Sequence, residues 1–270
     1  RDRDGDTDVA CLSIDVNDRD TVPQIIKPAT EVVDETNLTG GTITETGSVT
    51  ANFFTDGPGT FSGTGGFTST GSKLGGNLTH NGTAVVVTFD AATNTYTGTA
   101  GGVTVFTLAI AASGAYTFKL FQQLDHADGT NPNDVITLDF GVKATDQDGD
   151  SASTTITVQV RDDAPDARDD GRTTSDGQTI TGNVITNDIV GQDTPGTITK
   201  IEYNGTVYNI PANGSNLVIN GVYGTLTINN TGAYTYQSKT NVDGVDSFNY
   251  TLRDRDGDTD VACLSIDVND

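Results

Sequence analysis

The sequence predicts an all-β chain of tandem antiparallel β-sandwich domains joined end to end in an extended rod. Three observations carry this. Residues 1–18, RDRDGDTDVACLSIDVND, recur letter for letter as residues 253–270, so the chain leaves one repeat and stops at the same point of the next, with a period of 252 residues. Identity through surface as well as core positions marks recent duplication in an array, and arrays of such units stack into extended objects. The apolar residues come as short Val/Ile/Leu/Phe/Tyr runs broken by Gly, Asn and Asp, with 32 Gly in 270 residues and no Met or Trp, the pattern of many short strands. Finally, the length suits about two domains of roughly 100–150 residues, each able to bury its own core.

A second, diverged repeat lies inside the first. Shifted by 108 residues, TDQDGDSASTTITVQVRDD (145–163) lies over RDRDGDTDVACLSIDVND (253–270), placing Ile156, Val158 and Val160 over Leu264, Ile266 and Val268. Each copy is a loop followed by a strand whose period-2 alternation gives one apolar and one polar face. Each strand ends in acids and then Pro (Asp20 to Pro23; Asp162 to Pro165), which marks domain boundaries. Residues 1–18 are then the last strand of a preceding repeat, 19–163 a longer sandwich and 164–270 a shorter one. In 164–270, strands are expected near 179–184, 197–203, 206–210, 216–219, 224–228, 233–237, 246–252 and 260–268, an immunoglobulin-like complement for that length. In the longer unit, 85–89, 103–110, 115–120 and 135–142 read as strands, whereas the Gly/Thr/Ser-rich stretch 57–76 has no assignable register.

Charge narrows the functional classes. Fourteen Lys plus Arg stand against 37 Asp plus Glu, a formal charge of −23, which makes nucleic acid an unsuitable partner and divalent cations the natural counter-charge. Scattered acids also keep an exported protein soluble, but here the Asp residues cluster. Asp2, Asp4 and Asp6 recur as Asp146, Asp148 and Asp150 and as Asp254, Asp256 and Asp258, each set with Gly between its second and third Asp. Alternate carboxylates folded round a Gly converge on one hard cation, and Ca2+ takes six to eight oxygens at about 2.3–2.6 Å. The loop is not an EF-hand, because its Gly stands at the fourth position and Ser265 occupies the twelfth from Asp254.

One loop supplies too few ligands, and topology suggests the rest. The last strand of a sandwich of this kind runs to the C-terminal pole, so the loop before it faces the preceding domain. Asp15, Asn17, Asp18 and Asp20 are therefore expected to meet Asp146, Asp148 and Asp150, and Asp162, Asp163 and Asp166 to meet Asp254, Asp256 and Asp258. The plainer reading, Asp-Gly as hairpin chemistry, explains one Asp-Gly but not three alternating acids in three copies.

These motifs carry a resemblance. DxDGD followed by an alternating strand ending DVND or RDDAP resembles the repeats of giant bacterial RTX adhesins exported by type I secretion. Residues 164–270, with Gly182-Asn183-Val184, GTLTINNTGAYTY (224–236) and DSFNYTLRDRDGDTD (246–260), are similar to VCBS-type, cadherin-like repeats. Val33-Asp34-Glu35, Leu124-Asp125-His126 and ATDQDGD (144–150) resemble the longer repeat class of the same adhesins. The resemblance implies a Ca2+-stiffened extracellular stalk at the bacterial cell surface, supporting attachment and biofilm formation. Its partners would be neighbouring identical repeats and calcium ions, with no direct membrane insertion, and a host or surface ligand would be bound elsewhere in the full protein. The alternative is a carbohydrate- or surface-binding module in the longer unit.

Enzymatic activity is not expected. The two His, His80 and His126, lack a familiar catalytic or metal-ligand spacing, and no P-loop, G-x-S-x-G or H-E-x-x-H occurs. His126, beside Asp125 and Asp128, reads as structural. Cys11 and Cys263 hold the same repeat position, which points to free thiols rather than a disulfide.

Overall fold

A computed structural model describes residues 3–5, 7, 9–14, 21–71, 73–127, 131 and 133–270. The described chain is all-β, with three short 3-10 turns. In chain order the first unit contains β1 (Gln24–Ile26), β2 (Glu31–Asp34), β3 (Ile43–Ser48), β4 (Thr50–Asn52), β5 (Thr60–Gly71), β6 (Thr79–His80) and β7 (Thr83–Ala84). It continues with β8 (Val86–Asp90), β9 (Thr95–Ala100), β10 (Val103–Ile110), β11 (Ala115–Leu120), β12 (Val135–Thr145) and β13 (Ser151–Arg161). The second unit contains β14 (Asp170–Ser175), β15 (Thr179–Asn183), β16 (Thr197–Tyr203), β17 (Thr206–Asn209) and β18 (Leu217–Asn220). Its last strands are β19 (Gly224–Ile228), β20 (Ala233–Ser238), β21 (Gly244–Arg253) and β22 (Thr259–Asn269).

Each unit is two sheets packed over its own core. In the first, the sheet β3-β11-β10-β9-β8 covers β2-β13-β12-β5; in the second, β14-β22-β21-β16-β17 covers β15-β20-β19-β18. Aromatic rings tie the layers together: Phe140 of β12 meets Phe106 of β10 and Tyr96 of β9 with centroids 5.9 and 5.4 Å apart. In the second unit Phe248 of β21 lies 6.3 Å from Tyr236 of β20. The alternation read from the sequence sets these faces, for Leu264, Ile266 and Val268 are buried and Cys263, Ser265 and Asp267 line the other side of β22. Cys11 and Cys263 are free thiols.

The strand pairing departs from a purely antiparallel sandwich at one place in each unit. β2 runs parallel to β13 and β14 parallel to β22. In each unit this early strand, β2 or β14, travels in the same direction as the last strand. It thus fills the free edge of that sheet. β14 (DGRTTS) escaped the sequence reading because it is an edge strand with little apolar content.

The stretch without assignable register is mostly β5, whose pairing with β12 shifts between Phe140 and Val142. The glycines there admit Tyr96: a Cβ on Gly63 would overlap Phe89 and Tyr96. The Tyr96 hydroxyl donates to Gly141 O at 2.6 Å and accepts from Gly65 N at 2.9 Å. A side-chain-poor, bulged strand leaves no hydrophobic period to read.

Candidate metal centre at the junction

The two DxDGD loops described fold alike, for a local reason. Asp146 N donates to Asp150 O at 3.0 Å and Asp254 N to Asp258 O at 3.1 Å, closing five-residue turns. The first carboxylate of each accepts from the glycine amide, Gly149 at 3.1 Å and Gly257 at 2.9 Å. Those glycines have φ of 109° and 128°, a region L side chains rarely adopt. In the first loop Asp146, Asp148 and Asp150 bring carboxylate oxygens within 4.8 Å of one another. Asp15, Asn17, Asp18 and Asp20, expected opposite this loop, lie outside the described residues.

The second loop meets the first unit. Asp162 at the end of β13 brings its carboxylate within 4.8 Å of Asp256 and Asp258, and also within 4.8 Å of Glu35, Asp163 and Asp193. His126 N donates to Asp256 Oδ2 at 3.0 Å, and Arg255 reaches across to Asp125 at 2.7 Å. Arg255 N also donates to Asp193 O at 2.9 Å, which docks the loop on the 193–197 segment. Asp166 is a correction to the expected ligand set. Its carboxylate is exposed and paired with Arg168 at 2.8 Å, because its backbone bridges to Ile189 and turns the side chain outward.

Glu35, Asp125, His126, Asp134 and Asp193 were not among the expected ligands. His126, expected to be structural, sits among the acids, with Nδ1 against Asp134 Oδ1. Glu35 follows β2 directly and is fully buried, with Oε1 accepting from Leu124 N at 2.8 Å. Asp125 is spent on Asn81 N, Gly82 N and Arg255. A sequence signal existed for Asp193: Asp-x-Pro-Gly-Thr occurs at 56–60 and 193–197, each just before a long strand. Gln147 N donates to Asp56 O at 3.0 Å just as Arg255 N does to Asp193 O, so the same motif cradles both loops.

Crowded, buried acids resist ionisation. Burial first, and then Asp256 and Glu35, push the Asp162 carboxyl up to about 11. Burial with Asp256 and Asp163 raises Asp193 to about 9, and burial with the neighbouring Asp256 raises Asp254 to about 8. Burial also raises Glu35 and lowers the pKa of the His126 imidazole, the latter against the pull of Asp134. Several buried oxygens find no hydrogen-bond partner: Glu35 Oε2, Asp163 Oδ1, both oxygens of Asp193, Asp254 Oδ2 and Asp256 Oδ1. Such atoms cost free energy unless a proton or a cation meets them. The donor set is almost all carboxylate oxygen, which fits a hard divalent ion.

Residues 162–270 match the family model of a bacterial cadherin-like domain, and residues 30–159 match a domain of unknown function (DUF5801). The second unit is thus similar to a bacterial cadherin-like domain, and no enzymatic family is indicated. No curated protein matches the chain. Among solved structures, the Ig1-2 module of the Drosophila receptor protein tyrosine phosphatase DLAR is 14% identical, covering 93% of this chain and 100% of its own, with a TM-score of 0.23. Drosophila N-cadherin EC1-4 is 17% identical over 93% of this chain and 50% of its own, with a TM-score of 0.28. The fibronectin(III)-like modules of Clostridium thermocellum CbhA are 14% identical over 92% and 94%, with a TM-score of 0.21. These TM-scores carry no structural argument, and the fold rests on the sheet topology. Among the described residues no helix is long and apolar enough to cross a membrane.

Proposed function

We propose that the chain is a calcium-stiffened extender repeat in the stalk of a bacterial cell-surface adhesin of the type I secreted RTX kind, working outside the cell in attachment and biofilm formation. Its partners are neighbouring identical repeats and calcium ions, with the adhesion ligand bound elsewhere. The observation that carries this is the set of buried, partnerless carboxylate oxygens that converge from both units. Glu35 and Asp163 approach from the first unit, and Asp193 and Asp256 from the second, about the Asp162 carboxylate. Bound Ca2+ would supply the positive charge that these oxygens lack. Without it, the buried acids of facing poles must hold protons or repel one another; with it, acids of both units share one counter-charge, so the joint closes and stiffens. Binding to the folded state alone adds about 2.7 kcal/mol per site at a hundredfold excess over Kd.

Excess chelator should lower the melting temperature and loosen the joint, seen as a longer tail in the small-angle scattering distance distribution and increased local flexibility. Unchanged melting and scattering would refute the reading.

A second reading has one observation in its favour. The first unit carries an open cavity of about 440 Å³ lined by Phe67, Ser69, Lys73, Asn77, Val85 and Val87, beside its extra hairpin. Reproducible binding of this unit on a glycan array would favour a carbohydrate-binding module over a stalk unit.

A further inference from the structure

The junction holds one donor that calcium does not use. His126 has a side chain 1% exposed, and its Nδ1 lies in a very short contact with Asp134 Oδ1. A carboxylate only accepts, so Nδ1 carries the hydrogen and Nε2 keeps its lone pair. Nε2 is buried without a hydrogen-bond partner. It faces Glu35 Oε2, itself partnerless, at 3.9 Å, too long for the hydrogen bond an imidazolium would need. Glu35, His126 and Asp162 each offer a donor atom within 4.8 Å of the others, with Asp162 Oδ2 4.0 Å from Nδ1 of the ring and Glu35 Oε2 on the Nε2 side. The other histidine differs: His80 Nδ1 lies 2.8 Å from Gln123 O and Nε2 2.9 Å from Asn81 Nδ2, so both its nitrogens are used.

Calcium takes oxygen ligands, whereas a neutral imidazole whose second nitrogen is held by a carboxylate is how proteins orient a histidine towards zinc. Zinc bonds of about 2.0–2.1 Å in a tetrahedron separate donors by about 3.4 Å, so the His126–Glu35 pair need close by only about half an ångström. We propose that Glu35, His126 and Asp162 form a binding site for a first-row transition ion of the zinc class, beside the all-oxygen positions at the same junction. The proposal rests on the junction being a metal centre, but not on its other ion being calcium.

The test uses the whole chain, stripped of metal and titrated with Zn2+ alone and then in saturating Ca2+. With only two histidines, the imidazole C–H resonances are assignable, and one equivalent of Zn2+ should move those of His126 and leave those of His80 in place. In His126→Asn the amide replaces the Nδ1–H towards Asp134 but offers nothing in place of Nε2. It should bind Zn2+ at least tenfold more weakly while keeping its calcium-dependent rise in melting temperature. Glu35→Gln should also weaken Zn2+. Unmoved His126 resonances, wild-type zinc affinity in His126→Asn, or complete displacement of Zn2+ by Ca2+ would overturn the proposal. If His126→Asn fails to fold, the wild-type resonances decide. An unchanged melting curve in chelator would count against the calcium reading alone.

Discussion

Asp162 is the residue on which the junction turns, since its carboxylate belongs to both the Glu35–Asp163–Asp193 group and the Asp256–Asp258 group. Its neighbour Asp163 is held by Gln192 N at 2.6 Å, and the backbone there comes so close that a Cβ on Gly191 would overlap the Asp163 carboxylate. Gly191 also has φ of 88°, which strains any L side chain. Gly191→Ala should therefore push Asp163 out of the cluster and weaken calcium at least tenfold, measured by calorimetry. Wild-type affinity in that variant would show that Asp163 is not a ligand. Asp256→Ala removes a carboxylate that also accepts the His126 amide. It should lower calcium affinity at this joint by a comparable factor and leave both cores folded, because the aromatic packing of each unit lies away from the loop. Loss of the folded circular dichroism signal in saturating calcium would contradict this.

At the scale of elements, burial and neighbouring carboxylates raise several acids of the cluster together. A carboxyl whose folded-state pKa lies above its unfolded value gives stability that is full below the unfolded value and lost as pH rises towards the folded one. For Asp254, Asp193 and Asp162 that window runs from the ordinary value of 3.8 up to about 8, 9 and 11. The metal-free chain should thus melt at a lower temperature at about pH 8 than at about pH 5, and calcium should cancel that fall by displacing protons. Calorimetry in buffers of different ionisation enthalpy should record proton release on calcium binding near pH 7; none would mean these acids are already ionised. Elements also divide by legibility. Strands with clean alternation, β11 and β19, have the bounds their patterns give, because burial of one face selects one register. β14 and β5 do not, since an edge strand without apolar residues and a bulged glycine-rich strand owe their pairing to neighbours. The DxDGD loops were legible as turns that gather carboxylates, but the approach of Glu35, His126 and Asp193 to them was not. Each is a single polar residue from a different loop, and only the meeting of two units gives it a role.

Across the whole molecule, the two DxDGD loops serve separate poles. Asp148→Ala should therefore leave calcium binding at the 162–163/254–258 junction unchanged, and a fall in affinity there would show the poles to be coupled. Deleting residues 1–18 should leave the melting temperature unchanged, and a drop would assign that segment to the first unit. Those residues also separate what sequence determines from what it leaves open. Leu12 and Ile14 are 82% and 72% exposed and in no strand, whereas the same letters at Leu264 and Ile266 are 1% and 0% exposed in β22. By itself the sequence determined the alternation, the turn and the acid spacing, because these depend on chain geometry within a few residues. Whether that alternation becomes a buried strand, and which distant acids complete the loop, only the tertiary structure decided. A β-strand gains its hydrogen bonds and its apolar burial from partners remote in sequence, and identical residues without such partners gain neither.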